Sequence, residues 1–331
     1  MITILYDNLG YSFTKVAKLL GIGLHKIGYK KIDYISIHAL YNILHGTTIA
    51  IYDTKLYESK AMKIKASVKT KTIMWLDSPA SPKVLNARAY EDGCHITTLP
   101  YWYEQYKKNS IPVSGYIPRP IDYDTAIKVS NQPREKLCKD IWGEYGRYIL
   151  TVGSDQKISP SKPPRKGLDA YDQICEVVKR KLGINCLYSG SWDLRNANKI
   201  AYTGGLSEYD LMRYMRCSEA FVWTTRGEGF GMPPVEAQSV GAIVVSSKAP
   251  INDHITGIKF NYDNELEAYD PEMSVVNMWF KLFDYDLKEL YDAVEYALNL
   301  KEDEKEEIRI KGYTLREYYR PDLIALALTQ V

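Results

Sequence analysis

The amino-acid sequence predicts two doubly wound α/β domains built on parallel sheets, and three observations predict them. A chain of 331 residues, 45% hydrophobic and 25% charged, is longer than one hydrophobic core ordinarily organises, and its composition excludes a disordered, fibrous or multi-span membrane protein. Short apolar runs alternate along it with longer stretches of helical period, the pattern of parallel βαβ units. That series is interrupted by the polar stretch 124–145, which carries Asn131-Gln132-Pro133, and the charge balance changes there: Lys and Arg outnumber Asp and Glu before it, and the reverse holds after it.

Taken in order, Ile2–Tyr6 reads as a buried strand followed by the turn Asp7-Asn8-Leu9-Gly10. Val16, Leu19, Leu20, Gly23 and Leu24 then recur at helical spacing up to Gly28. Strands are predicted over 32–37, 48–52, 72–76 and 95–99, a short helix over 101–109, and a last strand over 114–117 before Pro118-Arg119-Pro120. The first domain therefore spans 1–123, and 124–145 connect it, partly as helix, to a second domain over 146–312. In the second, a strand over 148–152 ends in Gly153, a Ser-, Pro- and Lys-rich loop runs to Arg165, and a helix follows over 168–182. Further strands are read at 186–188, 199–202, 220–223 and 242–246, and charged amphipathic helices at 285–300 and 303–320. Residues 313–331, with the apolar run Leu323–Leu328, are expected to pack back on the first domain.

A net charge of +2 argues against a nucleic-acid partner. Met1 leads straight into an apolar run without a basic segment or cleavage site, and no window reaches the roughly 20 apolar residues of a membrane span, so a cytoplasmic chain is expected. The five cysteines (Cys94, Cys138, Cys175, Cys186, Cys217) are odd in number and contain no C-x-x-C pair; they read as free thiols of a reducing compartment. The five histidines show no metal-ligand spacing. Gly21-Ile22-Gly23 lies inside a helical pattern and fails the context of a dinucleotide fingerprint. Lys55, Lys60, Lys63, Lys65, Lys69 and Lys71 crowd a stretch with one acid, Glu58. Such a run is most often a solvated face; a peripheral contact with anionic membrane is the alternative.

The chemistry is concentrated in Thr224-Thr225-Arg226-Gly227-Glu228-Gly229-Phe230-Gly231-Met232-Pro233-Pro234-Val235-Glu236-Ala237. Apolar Ala220–Trp223 precedes it as a strand, and Pro233 and Pro234 suit the first turn of a helix, where a missing N–H costs nothing. A strand, a glycine-rich bend and a helix N-terminus together present unpaired N–H groups and a positive dipole end, which suits a diphosphate. Glu228 and Glu236 flank that helix start, and a carboxylate accepts both hydrogen bonds of a vicinal diol.

This segment resembles the E-x(7)-E motif of the retaining nucleotide-sugar glycosyltransferases of glycosyltransferase family 4, which have the GT-B fold: two Rossmann-like domains facing across a cleft. The run from Glu228 to Val245 matches nearly throughout. Val152-Gly153 with Arg165-Lys166-Gly167-Leu168-Asp169, Tyr202-Thr203-Gly204-Gly205-Leu206-Ser207 with Leu211, and Ile117-Pro118-Arg119-Pro120-Ile121-Asp122 extend the likeness over about residues 95–260. The resemblance implies that Glu236 binds ribose hydroxyls and Glu228 the hydroxyls of the transferred sugar. It implies that Gly229, Phe230, Gly231 and Met232 line the sugar and diphosphate through their backbone, and that Lys166 neutralises the leaving diphosphate, with Arg165 beside it. Gly10 and Tyr11 stand where the family touches the phosphates from the other domain.

Two departures stand out. Ser154 replaces the family's Arg, leaving Arg165, Lys157 or Lys162 to supply a second cation. The strand over 72–76 runs into Trp75-Leu76-Asp77-Ser78-Pro79 without the family's His, so Asp77 and Trp75 are the candidates on the acceptor side. The expected activity is retaining, hexosyltransferase-type transfer from a nucleotide-diphosphate sugar (UDP-, GDP- or another base) to a sugar, lipid or protein acceptor, with no metal and no further cofactor. An epimerase of the same fold and a non-catalytic nucleotide-sugar-binding protein are the alternatives.

Overall fold

The computed structural model describes residues 2–6, 11–36, 47–52, 72–76, 80–91, 94–153, 163–269 and 279–331. Within them the predicted α/β architecture is observed as two six-stranded parallel sheets. The first contains β1 (Ile2–Tyr6), β2 (Ile32–Ser36), β3 (Thr47–Tyr52), β4 (Thr72–Leu76), β5 (Cys94–Thr97) and β6 (Gly115–Tyr116), in the order β2-β1-β3-β4-β5-β6. Helix α1 (Tyr11–Lys26) covers one face. Its apolar stripe, Val16, Leu20 and Leu24, joins Ile2, Ile4, Ile49 and Ile73 in one buried cluster, because residues three and four apart share a helix side while alternate strand residues share a sheet face. Helix α2 (Pro100–Lys108) starts on Pro100 and buries Trp102 and Tyr106.

The second sheet holds β7 (Tyr148–Val152), β8 (Asn185–Ser189), β9 (Asn198–Ala201), β10 (Ala220–Trp223), β11 (Val244–Ser247) and β12 (Ile258–Phe260), ordered β12-β11-β10-β7-β8-β9. The direction in which successive strands are added reverses between β7 and β10, as it does in the first sheet between β1 and β3, while all strands stay parallel. In open α/β sheets, ligand crevices form at such switch points, beyond the carboxyl ends of the strands. The loops after β7 and β10 are those carrying Lys166 and Glu228.

Strand β12 and the two strands that follow it went unread in the sequence. Strands β13 (Asn264–Tyr269) and β14 (Trp279–Asp284) form a separate antiparallel ribbon, whose Leu266, Ala268, Phe280 and Leu282 pack together with Ala80 of the first half. The ribbon also bridges to that half: Ser81 N–H donates to Trp279 O (2.7 Å) and Ser81 Oγ to Glu267 Oε1 (2.9 Å).

Residues 124–145 fall largely in α3 (Tyr123–Ser130) and α4 (Arg134–Tyr145), which pack on α6 (Glu208–Cys217) of the second half. The remaining helices are α5 (Leu168–Leu182), α7 (Met232–Ser239), α8 (Leu287–Asn299), α9 (Glu302–Arg316) and α10 (Pro321–Gln330). Helix α10 lies on α1, and its Ile324, Ala325 and Leu328 complete the core under the first sheet.

The reading of all five cysteines as free thiols is corrected here: Cys138 and Cys217 form a disulfide, while Cys94, Cys175 and Cys186 are free. The packing of α4 against α6 brings together two residues 79 positions apart, a proximity that spacing alone does not encode. Intracellular proteins of hyperthermophiles also carry disulfides, so an odd cysteine count does not define a reducing compartment. A cross-link closing so long a loop restricts the unfolded chain. Cys138→Ser is expected to lower stability by about 2–4 kcal/mol, read as a lower melting temperature, with added reductant lowering the wild type to match. Among the described residues no helix is long and apolar enough to cross a membrane. The lysine run Lys55–Lys71 lies outside the described residues.

Candidate active site

The bend after β10 is shaped by its partner loop after β7. Arg226 N–H donates to Arg165 O (2.8 Å), Thr224 Oγ1 to Lys166 O (3.1 Å), and Thr225 Oγ1 to Arg165 O (3.3 Å), so the two loops are laced together. Buried Arg226 anchors the pair, with Asp169 and Asp284 each at 2.8 Å and Pro164 O accepting at 2.9 Å. Arg226 therefore braces the site from behind. The lacing requires glycine at 167. Its φ is +71°, and a Cβ there would lie 2.0 Å from Thr224 O, a backbone atom that cannot swing aside. Gly167→Ala combines left-handed strain with overpacking, so a loss of about 2–4 kcal/mol in thermal or denaturant unfolding is expected.

Gly231, at φ +83°, turns the chain into α7, whose first turn holds Pro233 and Pro234. The first N–H groups of a helix have no intrahelical acceptor and point outward from its positive end. Glu228 stands just before this end, with its carboxylate paired to Lys166 Nζ, and the lysine also lies over the Trp223 ring at 5.5 Å. Burial alone would push the Glu228 carboxyl up; Lys166, Arg165 and the Gly229 N–H together hold it below the ordinary carboxylate range. Arg165 donates from Nη1 to Gly227 O (3.0 Å) and lies over Phe280 of the ribbon. Phe230 is buried and stacks on His254 at 5.0 Å. Burial and Lys259 depress that imidazole to about 3, which keeps it neutral.

The first half closes over the bend. Trp102 Nε1 donates to Glu228 O (3.1 Å), and Thr98 Oγ1 to Gly229 O (3.0 Å). Glu236, on α7 and 1% exposed, is paired with Lys15 of α1, and the same ammonium reaches Glu208 at the start of α6. Tyr11 OH donates to Glu208 Oε1 (2.8 Å). The structure thus gathers Lys166, Arg165, Glu228, Gly229, Phe230, Gly231 and Met232 at one switch point, and sets Glu236 and Tyr11 in a second cluster with Lys15 and Glu208.

Gly10, Asp77, Ser154, Lys157 and Lys162 lie outside the described residues. Trp75 is corrected. It is fully buried in β4, its indole N–H donates to Ile117 O (2.8 Å), and its ring stacks on Arg119 at 4.5 Å, so it supports the first core and offers no face to a substrate. Sequence reasoning missed Lys15, Glu208, Trp102 and Thr98. A faint signal existed for two of them: Lys15 follows Tyr11 by one helical turn, and Glu208 follows the N-cap Ser207.

Two parallel sheets whose switch points meet across a cleft define the GT-B class, and the solved structures agree. At a TM-score of 0.68 and 12% identity, the chain matches trehalose-6-phosphate from E. coli bound with UDP-2-fluoro glucose, covering 100% of this chain and 99% of that one. It matches an α,α-trehalose-phosphate synthase (UDP-forming) from Burkholderia xenovorans in complex with glucose-6-phosphate at a TM-score of 0.66 and 8% identity, covering 100% and 99%. Residues 184–261 match the family "Glycosyl transferases group 1". A protein provisionally named glycosyltransferase 41, from Sulfolobus islandicus filamentous virus (isolate Iceland/Hveragerdi), is 27% identical over 294 residues, 87% of this chain and 78% of its own length. Fold, matched segment and relative together support a glycosyltransferase.

Proposed function

We propose that this chain is a retaining glycosyltransferase of family 4 type, moving a hexosyl group from a nucleoside-diphosphate sugar to an acceptor hydroxyl. The observation that carries the reading is the Glu228–Lys166 pair at the mouth of α7, within the crevice between the halves. In this reading Glu236 accepts from the ribose diol, Glu228 orients the transferred sugar, and Lys166 with the α7 N-terminus balances charge on the diphosphate. The bond from the anomeric carbon to the β-phosphate oxygen breaks while the acceptor oxygen bonds to that carbon from the same face. The acceptor proton passes to the departing phosphate oxygen. Lys166 has three donors, so it can keep Glu228 and still meet a phosphate. The contacts from Trp102, Thr98 and the ribbon support a cleft that closes against water, which would otherwise compete as acceptor. In this reading the enzyme works in the cytoplasm and without a metal ion, as the sequence and its resemblance to the family lead one to expect.

UDP-, GDP-, ADP- and dTDP-sugars, UDP-glucose first, are to be screened by thermal shift and then by nucleoside-diphosphate release with sugar and sugar-phosphate acceptors, with chelator present throughout. One donor is expected to raise the melting temperature and to yield a product whose anomeric configuration, read by NMR, is that of the donor. Inverted product, or binding without turnover across the panel, overturns the reading.

A further inference from the structure

The second cluster has a composition that ribose binding alone does not explain. Lys15 Nζ lies between Glu236 Oε1 and Glu208 Oε2, and the side chains are 11%, 1% and 23% exposed. One ammonium serves two carboxylates in a nearly dry setting, an expensive arrangement for a purely structural bridge. The three residues come from both halves of the molecule: Lys15 from α1 under the first sheet, Glu208 and Glu236 from α6 and α7 of the second. Tyr11, one turn before Lys15, ties down the other oxygen of Glu208. A carboxylate offers about four acceptor sites, so one ammonium leaves Glu236 room for a diol.

We propose that Lys15 is a positioning residue of the donor site, supplied across the cleft, which aims Glu236 so that nucleotide affinity depends on the two halves being together. The inference rests on the reading of Glu236 as the ribose ligand. Its electrostatics follow from the groups that face Glu236: Lys15 and Tyr11 from α1, Glu208 from α6, and Asp122, the N-cap of α3. Burial pushes the Glu236 carboxyl up, Lys15 draws it back, and Glu208 and Asp122 push it further up, which leaves it raised to about 7. Burial would lower the Lys15 ammonium, but Glu236 and Glu208 hold it raised, so it stays charged. Without that ammonium, Glu236 would be protonated over more of the pH range, and a protonated carboxyl is a poorer acceptor for two hydroxyls.

The test measures UDP and GDP dissociation constants by calorimetry on the full chain across pH, for wild type, Lys15→Met, Glu208→Gln and Glu236→Gln. Lys15→Met is expected to weaken binding about tenfold or more near pH 6, with the deficit shrinking as pH rises. Glu208→Gln removes the competing acid, is close to isosteric, and is expected to extend nucleotide binding to lower pH than wild type. A Lys15→Met deficit that is absent or constant with pH overturns the proposal, as does a Glu208→Gln profile that stays put or moves to higher pH. If Lys15→Met fails to fold, the Glu208→Gln profile decides alone. Glu236→Gln separates the levels: if it leaves affinity unchanged for both nucleotides, the ribose reading itself fails, whereas if it weakens affinity and the other two variants behave as wild type, only the role of Lys15 fails.

Discussion

Glu236→Ala is expected to leave the chain folded and to raise the dissociation constant for its nucleoside diphosphate by about 100-fold or more. Hydrogen bonds to a charged acceptor contribute about 1.5–3 kcal/mol each. A diol makes two, and each 1.4 kcal/mol is roughly tenfold in affinity. The alanine also widens a site built around a side chain that is 1% exposed. Lys15 keeps Glu208 as a partner, so the variant does not strand a buried ammonium, and the fold has no large new charge penalty to bear. Calorimetric titration with UDP and GDP reads the effect, and unaltered affinity would mean that Glu236 serves only to bridge the halves. Turnover at saturating donor should fall far less than affinity, because an interaction made equally in ground and transition states acts on KM.

Much of the fold was legible because its signals are local. The boundaries of β4, β7, β10 and α5 agree with the apolar pattern, since each strand is a short buried run ended by a loop and α5 is bracketed by Gly167 and Gly183. The passage from β10 through Gly231 to α7 was legible for the same reason. The ribbon was not. In β13, Glu265 and Glu267 alternate with Leu266 and Ala268, a weak pattern beside the full apolar runs of the parallel strands, and its burial comes from Ala80 of the other half. The partners of Glu236 were illegible for a deeper reason: Lys15 is 221 positions away, and its meeting with Glu236 is a consequence of how two domains appose. Trp75 misled because it stands at the end of the strand where the family carries its acceptor-side His, while the alternation of β4 turns it inward onto Arg119.

Lys166→Met is expected to lower kcat by about 10²–10³, the range seen when one preorganised charge-stabilising donor is removed. The effect has two sources that pH separates. Loss of the cation leaves the departing diphosphate less stabilised at every pH. It also removes the foremost group that holds Glu228 below the ordinary carboxylate range, so burial is left to push that carboxyl up. The Glu228 carboxylate of the wild type stays ionised as pH falls to its depressed value, whereas in Lys166→Met it protonates at a higher pH, so the variant should lose further rate on the acid side where the wild type does not. Glu228→Gln abolishes that second source, and its pH profile should lack the added acid limb. Because Lys166 and Glu228 act as one paired unit, the double variant should be much less impaired than the product of the two single losses. Strictly multiplicative losses, with an unshifted acid limb in Lys166→Met, would show instead that the pair seen at the mouth of α7 is separable into a structural lysine and an independent carboxylate.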